Sequence, residues 1–133
     1  MEKVLVTGAT GYIALHCVQQ LLDQGYAVNG SIRSPERKNE VIEALKNSGT
    51  STENLNLYVF DLTNDEGWDD GMEGCDYLLH VASPLALENH TEDYFVKPAV
   101  AGAKRALKFA KKHSVKKVVL TSSVAAIFET GEE

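Results

Sequence analysis

The run Val4-Leu5-Val6-Thr7-Gly8-Ala9-Thr10-Gly11-Tyr12-Ile13-Ala14 decides how this chain is read. Three aliphatic residues form a short buried-strand signal, and a turn with two glycines follows. From Tyr12 to about Gln24 the period changes: Ile13, Cys17, Val18, Leu21 and Leu22 recur at helical spacing. Gly25 ends that helix as a C-cap. Working outward, Ala27 to Ile32 reads as a second strand. Pro35-Glu36 opens a second helix through about Lys46, with Val41, Ile42 and Leu45 inward. A polar loop, Asn47 to Asn54, leads to a third strand, Leu55 to Phe60, which ends at Asp61. Asp65 to Met72 makes one short helix. Tyr77 to Val81 is a fourth strand, running into Ala82-Ser83-Pro84, and Leu85 to Glu92 is loop-like. A long helix covers Asp93 to His113, with Pro98 near the start of its regular part. Its expected apolar face is Val100, Ala103, Leu107 and Ala110, with Lys104, Lys108, Lys111 and Lys112 outward. Lys117 to Leu120 is a fifth strand ending in Thr121-Ser122-Ser123, and Glu129 to Glu133 is a polar tail.

The pattern is βαβαβαβαβ with near-continuous Val/Leu strands. Such strands are buried on both faces, which predicts an α/β fold with a parallel sheet between helix layers. Right-handed crossovers with one reversal of direction predict a doubly wound, Rossmann-type sheet of five strands in the order 3-2-1-4-5. No internal repeat and no second domain are legible, so residues 1–133 are expected to form one domain.

Composition narrows the function classes. The 133 residues are 44% hydrophobic and 24% charged, an ordinary globular balance that excludes collagen, low-complexity disorder and a disulfide scaffold. A net charge of −6 argues against nucleic acid or an anionic membrane as the main partner. No apolar run approaches a membrane span, and the N-terminus lacks signal-peptide features. Cys17 and Cys75 lack metal-ligand spacing and read as reduced thiols, so a cytoplasmic location is expected. The four histidines are scattered and form no metal set. Charge is unevenly spread: Asp61 to Asp93 is acidic, while Lys97 to Lys117 carries eight basic residues and no acid. That run is a solvated helix face or a phosphate- or partner-binding patch.

The glycine turn suggests a ligand. Gly8 permits the tight turn, Gly11 lets backbone approach a pyrophosphate at the helix N-terminus, and Ala14 lets helix pack on strand. The alternative is a βα turn whose glycines serve geometry alone. A dinucleotide site that prefers NAD places an acid about 20 residues past the turn. This chain has Ser31-Ile32-Arg33-Ser34 there, with Arg37 and Lys38 following. Guanidinium groups suit a 2′-phosphate, which points to NADP(H); otherwise Arg33 and Arg37 are plain surface charges. Asp61 and the Leu62 N–H are placed for an adenine edge, or Asp61 is a loop starter or N-cap. Val81, Ala82 and Ser83, at the end of the fourth strand, let backbone approach the nicotinamide ribose. All these strand ends share the sheet's C-terminal edge, where open α/β folds bind ligands.

Taken in order, Thr7-Gly8-Ala9-Thr10-Gly11-Tyr12-Ile13-Ala14, Ser31-Ile32-Arg33-Ser34, His80-Val81-Ala82-Ser83-Pro84 and Val118-Val119-Leu120-Thr121-Ser122-Ser123 resemble the extended short-chain dehydrogenase/reductases. The nearest branch holds dihydroflavonol reductase, cinnamoyl-CoA reductase and the microbial methylglyoxal or aldehyde reductases. The resemblance implies NADPH-dependent reduction of an aldehyde or ketone. It implies that Thr7, Gly8, Thr10, Gly11, Tyr12 and Ile13 form the pyrophosphate turn. Arg33 and Arg37 would take the 2′-phosphate, and Asp61 and Leu62 the adenine. Val81, Ala82 and Ser83 would border ribose and nicotinamide, and Thr121 and Ser122 would line the cofactor floor. Ser123 matches the catalytic serine that hydrogen-bonds the substrate carbonyl oxygen.

One family feature is missing. The family's proton donor is a tyrosine in Tyr-x-x-x-Lys. Here Tyr12, Tyr26, Tyr58, Tyr77 and Tyr94 are followed at that spacing by His16, Gly30, Leu62, Val81 and Pro98. The chain therefore reads as a cofactor half, truncated relative to the family and without the substrate-binding part. Alone it is expected to show negligible reductase activity, since general acid catalysis contributes ~10²–10⁴ in rate. The competing readings are a stand-alone dinucleotide-binding module and a non-catalytic product that self-associates through its exposed fifth strand.

Overall fold

The structure, a computed structural model, describes residues 1–60, 62, 65–81 and 92–120, with 92–99 as helical backbone only. Strands β1 (Lys3–Val6), β2 (Ala27–Ile32), β3 (Leu55–Val59), β4 (Tyr77–His80) and β5 (Lys117–Leu120) alternate with helices α1 (Tyr12–Asp23), α2 (Lys38–Asn47), α3 (Trp68–Met72) and α4 (Glu92–Lys112). A 3₁₀ turn, Pro35–Arg37, leads into α2. The five strands pair in parallel in the order β3-β2-β1-β4-β5, as expected from the crossover rules.

Two apolar layers sandwich the sheet. On one face α1 and α2 bury Ala14, Val18, Val41 and Leu45 against Val4, Val6, Val28 and Ile32. On the other, α3 and α4 bury Trp68, Met72, Ala106, Phe109 and Ala110 against Leu5 and Leu78. Trp68 anchors this second layer, tilted on Phe60 at 4.6 Å and stacked on Phe109 at 5.8 Å. Asn29 crosses from β2 into it and donates to the Gly71 carbonyl at 2.8 Å.

Helix ends explain how the chain turns back. After α1, Gly25 (φ +97°) lets its own N–H reach Leu22 O and the Tyr26 N–H reach Leu21 O, a Schellman closure. Gly49 closes α2 in the same way, through Leu45 and Lys46. The closure after α4 uses Ser114, a side-chain-bearing residue at φ +58°.

Two expectations about α4 need correction. The helix does not begin its regular part near Pro98; it runs through it from Glu92. Nor does it bury Val100 and Leu107, which are 46% and 44% exposed. The inward face is Gly102, Ala106, Phe109 and Ala110. The rotation follows from fit. Phe109 stacks on Trp68, and a Cβ at Gly102 would stand 3.0 Å from Leu62, so the small residues mark the side of close approach. The outward lysines are exposed as expected, but they are not all simply solvated. Asp65 receives Arg105 and Lys108, and Asp69 receives Lys112 and His113. Part of the acidic segment thus lies against part of the basic one.

Candidate functional site

β1, β2 and β4 end together at the sheet's C-terminal edge, and the glycine turn is tied down between them. On the β2 side, Ser31 Oγ accepts the Gly8 N–H and Ser31 O accepts the Ala9 N–H, both at 2.8 Å. Gly8 sits at φ +71°, and its carbonyl accepts the Gly11 N–H at 2.9 Å. Ala9 is fully buried above Gly30, where an added Cβ would meet Ala9 Cβ at 3.1 Å and Leu57 Cδ2 at 3.0 Å. On the β4 side, Thr7 donates its N–H to Leu79 O at 3.1 Å. Its hydroxyl accepts the Val81 N–H at 2.9 Å and stands 3.0 Å from His80 Nδ1.

The turn opens into α1. The first intrahelical bond runs from Leu15 N–H to Gly11 O, so the amides of Tyr12, Ile13 and Ala14 precede it. Gly11 supplies no side-chain cap, and the first turn carries no acid, whereas α2 has Glu40 and α3 has Asp69 and Asp70 there. Such an end attracts anions through its exposed N–H groups and its dipole. Gly11 itself is not required by the fold: its φ is −71°, and an added Cβ would meet only Gly8 O at 3.4 Å. Its bare Cα leaves space in front of the amides, which fits a pyrophosphate. Tyr12 and Ile13 flank that space, 80% and 61% exposed, while Ala14 is buried beneath the helix.

The other expected contacts are distributed as follows. Thr10 is half-buried within the turn and Arg33 is exposed just past β2. Arg37 engages Glu40, with Nη2 to Oε1 at 3.3 Å and Nε to Oε2 at 3.4 Å. A phosphate arriving there competes with an exposed ion pair, which is a weak competitor. Leu62 packs against Gly102, and its carbonyl accepts Arg105 Nη1. Val81 follows β4 with its amide committed to Thr7. Asp61, Ala82, Ser83, Thr121, Ser122 and Ser123 lie outside the described residues.

Two functional candidates were not singled out in the sequence. Ser31 is buried and holds the turn from β2; His80 is buried and meets Thr7. Burial pushes the His80 imidazole down from its ordinary value, which favours the neutral ring. The geometry suits a hydroxyl that accepts from Val81 and donates to a neutral Nδ1. Cys75 is an inert neighbour of the core: burial pushes its thiol up to about 11.

Comparison with known proteins agrees with this arrangement. The chain is 40% identical over 128 residues to cinnamoyl-CoA reductase 2 of Arabidopsis thaliana, covering 96% of this chain and 37% of that protein. It is 38% identical over 126 residues to a putative anthocyanidin reductase of Ginkgo biloba, covering 93% of this chain and 36% of that protein. Among solved structures, yeast methylglyoxal/isovaleraldehyde reductase complexed with NADPH superimposes with a TM-score of 0.80 at 35% identity, over 93% of this chain and 38% of that one. Vestitone reductase from alfalfa gives 0.75 at 32% identity, over 95% and 37%. The chain therefore spans little more than a third of the length of these relatives. The profile of the NAD dependent epimerase/dehydratase family matches residues 4–133, nearly the whole chain. The resemblance to extended short-chain dehydrogenase/reductases holds, and this chain belongs to the NAD dependent epimerase/dehydratase family.

Proposed function

We propose that residues 1–133 are the NADP(H)-binding domain of a cytoplasmic carbonyl reductase acting on a small aldehyde or ketone. The observation that carries this reading is the uncapped, acid-free N-terminus of α1 behind Gly11, on the same sheet edge as β2, which leads to Arg33 and Arg37. The NADPH held by the superimposable yeast reductase supports it. In this reading Thr7, Gly8, Thr10, Gly11, Tyr12 and Ile13 bind the pyrophosphate, and Arg33 and Arg37 the 2′-phosphate. Asp61 and Leu62 border the adenine, Val81, Ala82 and Ser83 border ribose and nicotinamide, and Thr121 and Ser122 line the cofactor floor. Bound NADPH supplies a hydride to the carbonyl carbon, and Ser123 hydrogen-bonds the carbonyl oxygen. With no Tyr-x-x-x-Lys among these residues, the proton must come from elsewhere, and the 133 residues alone reduce carbonyls negligibly.

The test is a titration with NADPH and, in parallel, NADH, followed by reduced-nicotinamide fluorescence. NADPH is expected to bind roughly ten- to a hundredfold tighter, and the double variant Arg33→Ser/Arg37→Ser to lose that preference. Equal affinity for both nucleotides overturns the NADP(H) assignment, and binding of neither overturns the cofactor reading. A second reading, a non-catalytic chain that self-associates, draws on β5, an edge of the described sheet with Val119 and Leu120 each 47% exposed. Size-exclusion chromatography giving a monomer at high concentration removes it.

A further inference from the structure

The last main-chain bond between β1 and β4 runs from Thr7 N–H to Leu79 O. One step further on, the Thr7 hydroxyl takes over and accepts the Val81 N–H at 2.9 Å. His80 Nδ1 stands 3.0 Å from the same oxygen, and in its Nε2–H tautomer it accepts the hydroxyl proton. The β1–β4 register that pairs Val6 with Leu79 sets Thr7 opposite His80. We propose that His80 is a positioning residue for the cofactor: through the Thr7 hydroxyl it keeps the pyrophosphate turn in register with the Val81 segment that borders the nicotinamide ribose. The inference rests on the NADP(H) reading above and adds to it a residue that touches no part of the cofactor.

The ring is well placed for this. His80 is 6% exposed, and its centroid lies 6.5 Å from that of Trp68. Around it β1 presents Thr7, α3 presents Trp68, and the register partner on β5 is Leu120; none of these is charged at neutral pH. Asp65, ahead of α3, pairs with Arg105 and Lys108 of α4, and Asp69 of α3 pairs with Lys112 and meets the His113 ring. Asp61 lies outside the described residues. A neutral imidazole accepts the Thr7 proton at Nδ1; an imidazolium cannot. Acid therefore removes the acceptor that orients the hydroxyl, and it does so in a site that resists charge.

The experiment is calorimetric titration with NADP⁺, which survives acid, from about pH 8 down to about pH 4.5, through the ordinary histidine range and below it, because burial lowers His80. At the upper end His80→Leu is expected to weaken NADP⁺ about tenfold, the scale of one buried hydrogen bond and its orphaned partner. His80→Asn, whose amide stands near the Nδ1 position, is expected to recover most of that loss. At the acid end, below the ordinary histidine range, the wild type is expected to lose affinity faster than His80→Asn, while the cofactor's own phosphate titration is common to both. If His80→Leu does not fold, the wild-type and His80→Asn profiles still decide. Superimposable pH profiles overturn the proposal, as does a His80→Leu protein that melts earlier but binds NADP⁺ like the wild type. Wild-type protein that binds no NADP⁺ at any pH removes the cofactor reading and this inference together.

Discussion

The two faces of the sheet are built from different materials. Under α1 and α2 the fully buried side chains are aliphatic, and the closest approaches are made by Ala9, Ala14 and Gly30. Under α3 and α4 they include Phe60, Trp68 and Phe109, with the Asn29 amide reaching Gly71 from below. The first face is packed at short range, and it presses the glycine turn against β2. The second spans more space with large rings, and its rim is laced by Asp65 and Asp69 to the cations of α4. The face that shapes the candidate site thus relies on close contact, whereas the face behind it relies on aromatic bulk and charge.

The largest expected effect tests the anchor. Trp68→Ala should cost about 3–5 kcal/mol by urea unfolding, against about 2–4 kcal/mol for Leu45→Ala on the other face. Because Trp68 also seats α4, its variant should lose the salt dependence of stability, while Leu45→Ala keeps it. Salt dependence that survives in Trp68→Ala breaks the comparison. Gly71→Ala comes next. The new Cβ would stand 2.6 Å from Phe60 Cε2, a ring wedged on Trp68. A loss of about 1–3 kcal/mol is expected from such overpacking. Gly30→Ala meets the flexible end of Leu57 instead, so it should spare stability more and disturb NADPH binding through Ala9. Ser114→Gly should raise stability by about 0.5–1 kcal/mol, because glycine accepts φ +58° without strain.

The smallest effect is acidic. Hydrogen bonds from Lys108 and Arg105 lower the Asp65 carboxyl, and those from His113 and Lys112 lower Asp69. Carboxyls depressed in the folded state stabilise it above their unfolded pKa and lose that contribution as pH falls through the folded values. Both aspartates are exposed, so a double Asp65→Asn/Asp69→Asn variant should shift the melting temperature slightly, and only at low salt.

Much of the fold was legible because it is periodic. Val4-Leu5-Val6, the glycine turn and the helix after it fix one βα unit, and crossover handedness orders the rest. The rotation of α4 was not legible. Val100, Ala103, Leu107 and Ala110 follow helical spacing as well as Gly102, Ala106, Phe109 and Ala110 do, and only the position of Trp68 chooses between them. In the site, the turn, Tyr12, Ile13 and the arginines could be read because their chemistry is local. Ser31 and His80 could not, since each acts on a residue more than twenty positions away through a strand register that no local pattern contains. The pairing of the acidic and basic segments was hidden for the same reason.

The parallel sheet has one more effect. Each connecting helix runs back against its strands, so all four begin at the edge where the strands end. Acids in the first turns of α2 and α3 mask their positive ends. Of α1, α2 and α3, only α1 carries no acid there. A chain of net charge −6 therefore repels anions over most of its surface while one helix end draws them in. For the proposed nucleotide site this predicts steering of the anion to that end during its diffusional approach. Its arrival rate should fall as ionic strength rises, the opposite of what the overall charge alone would dictate.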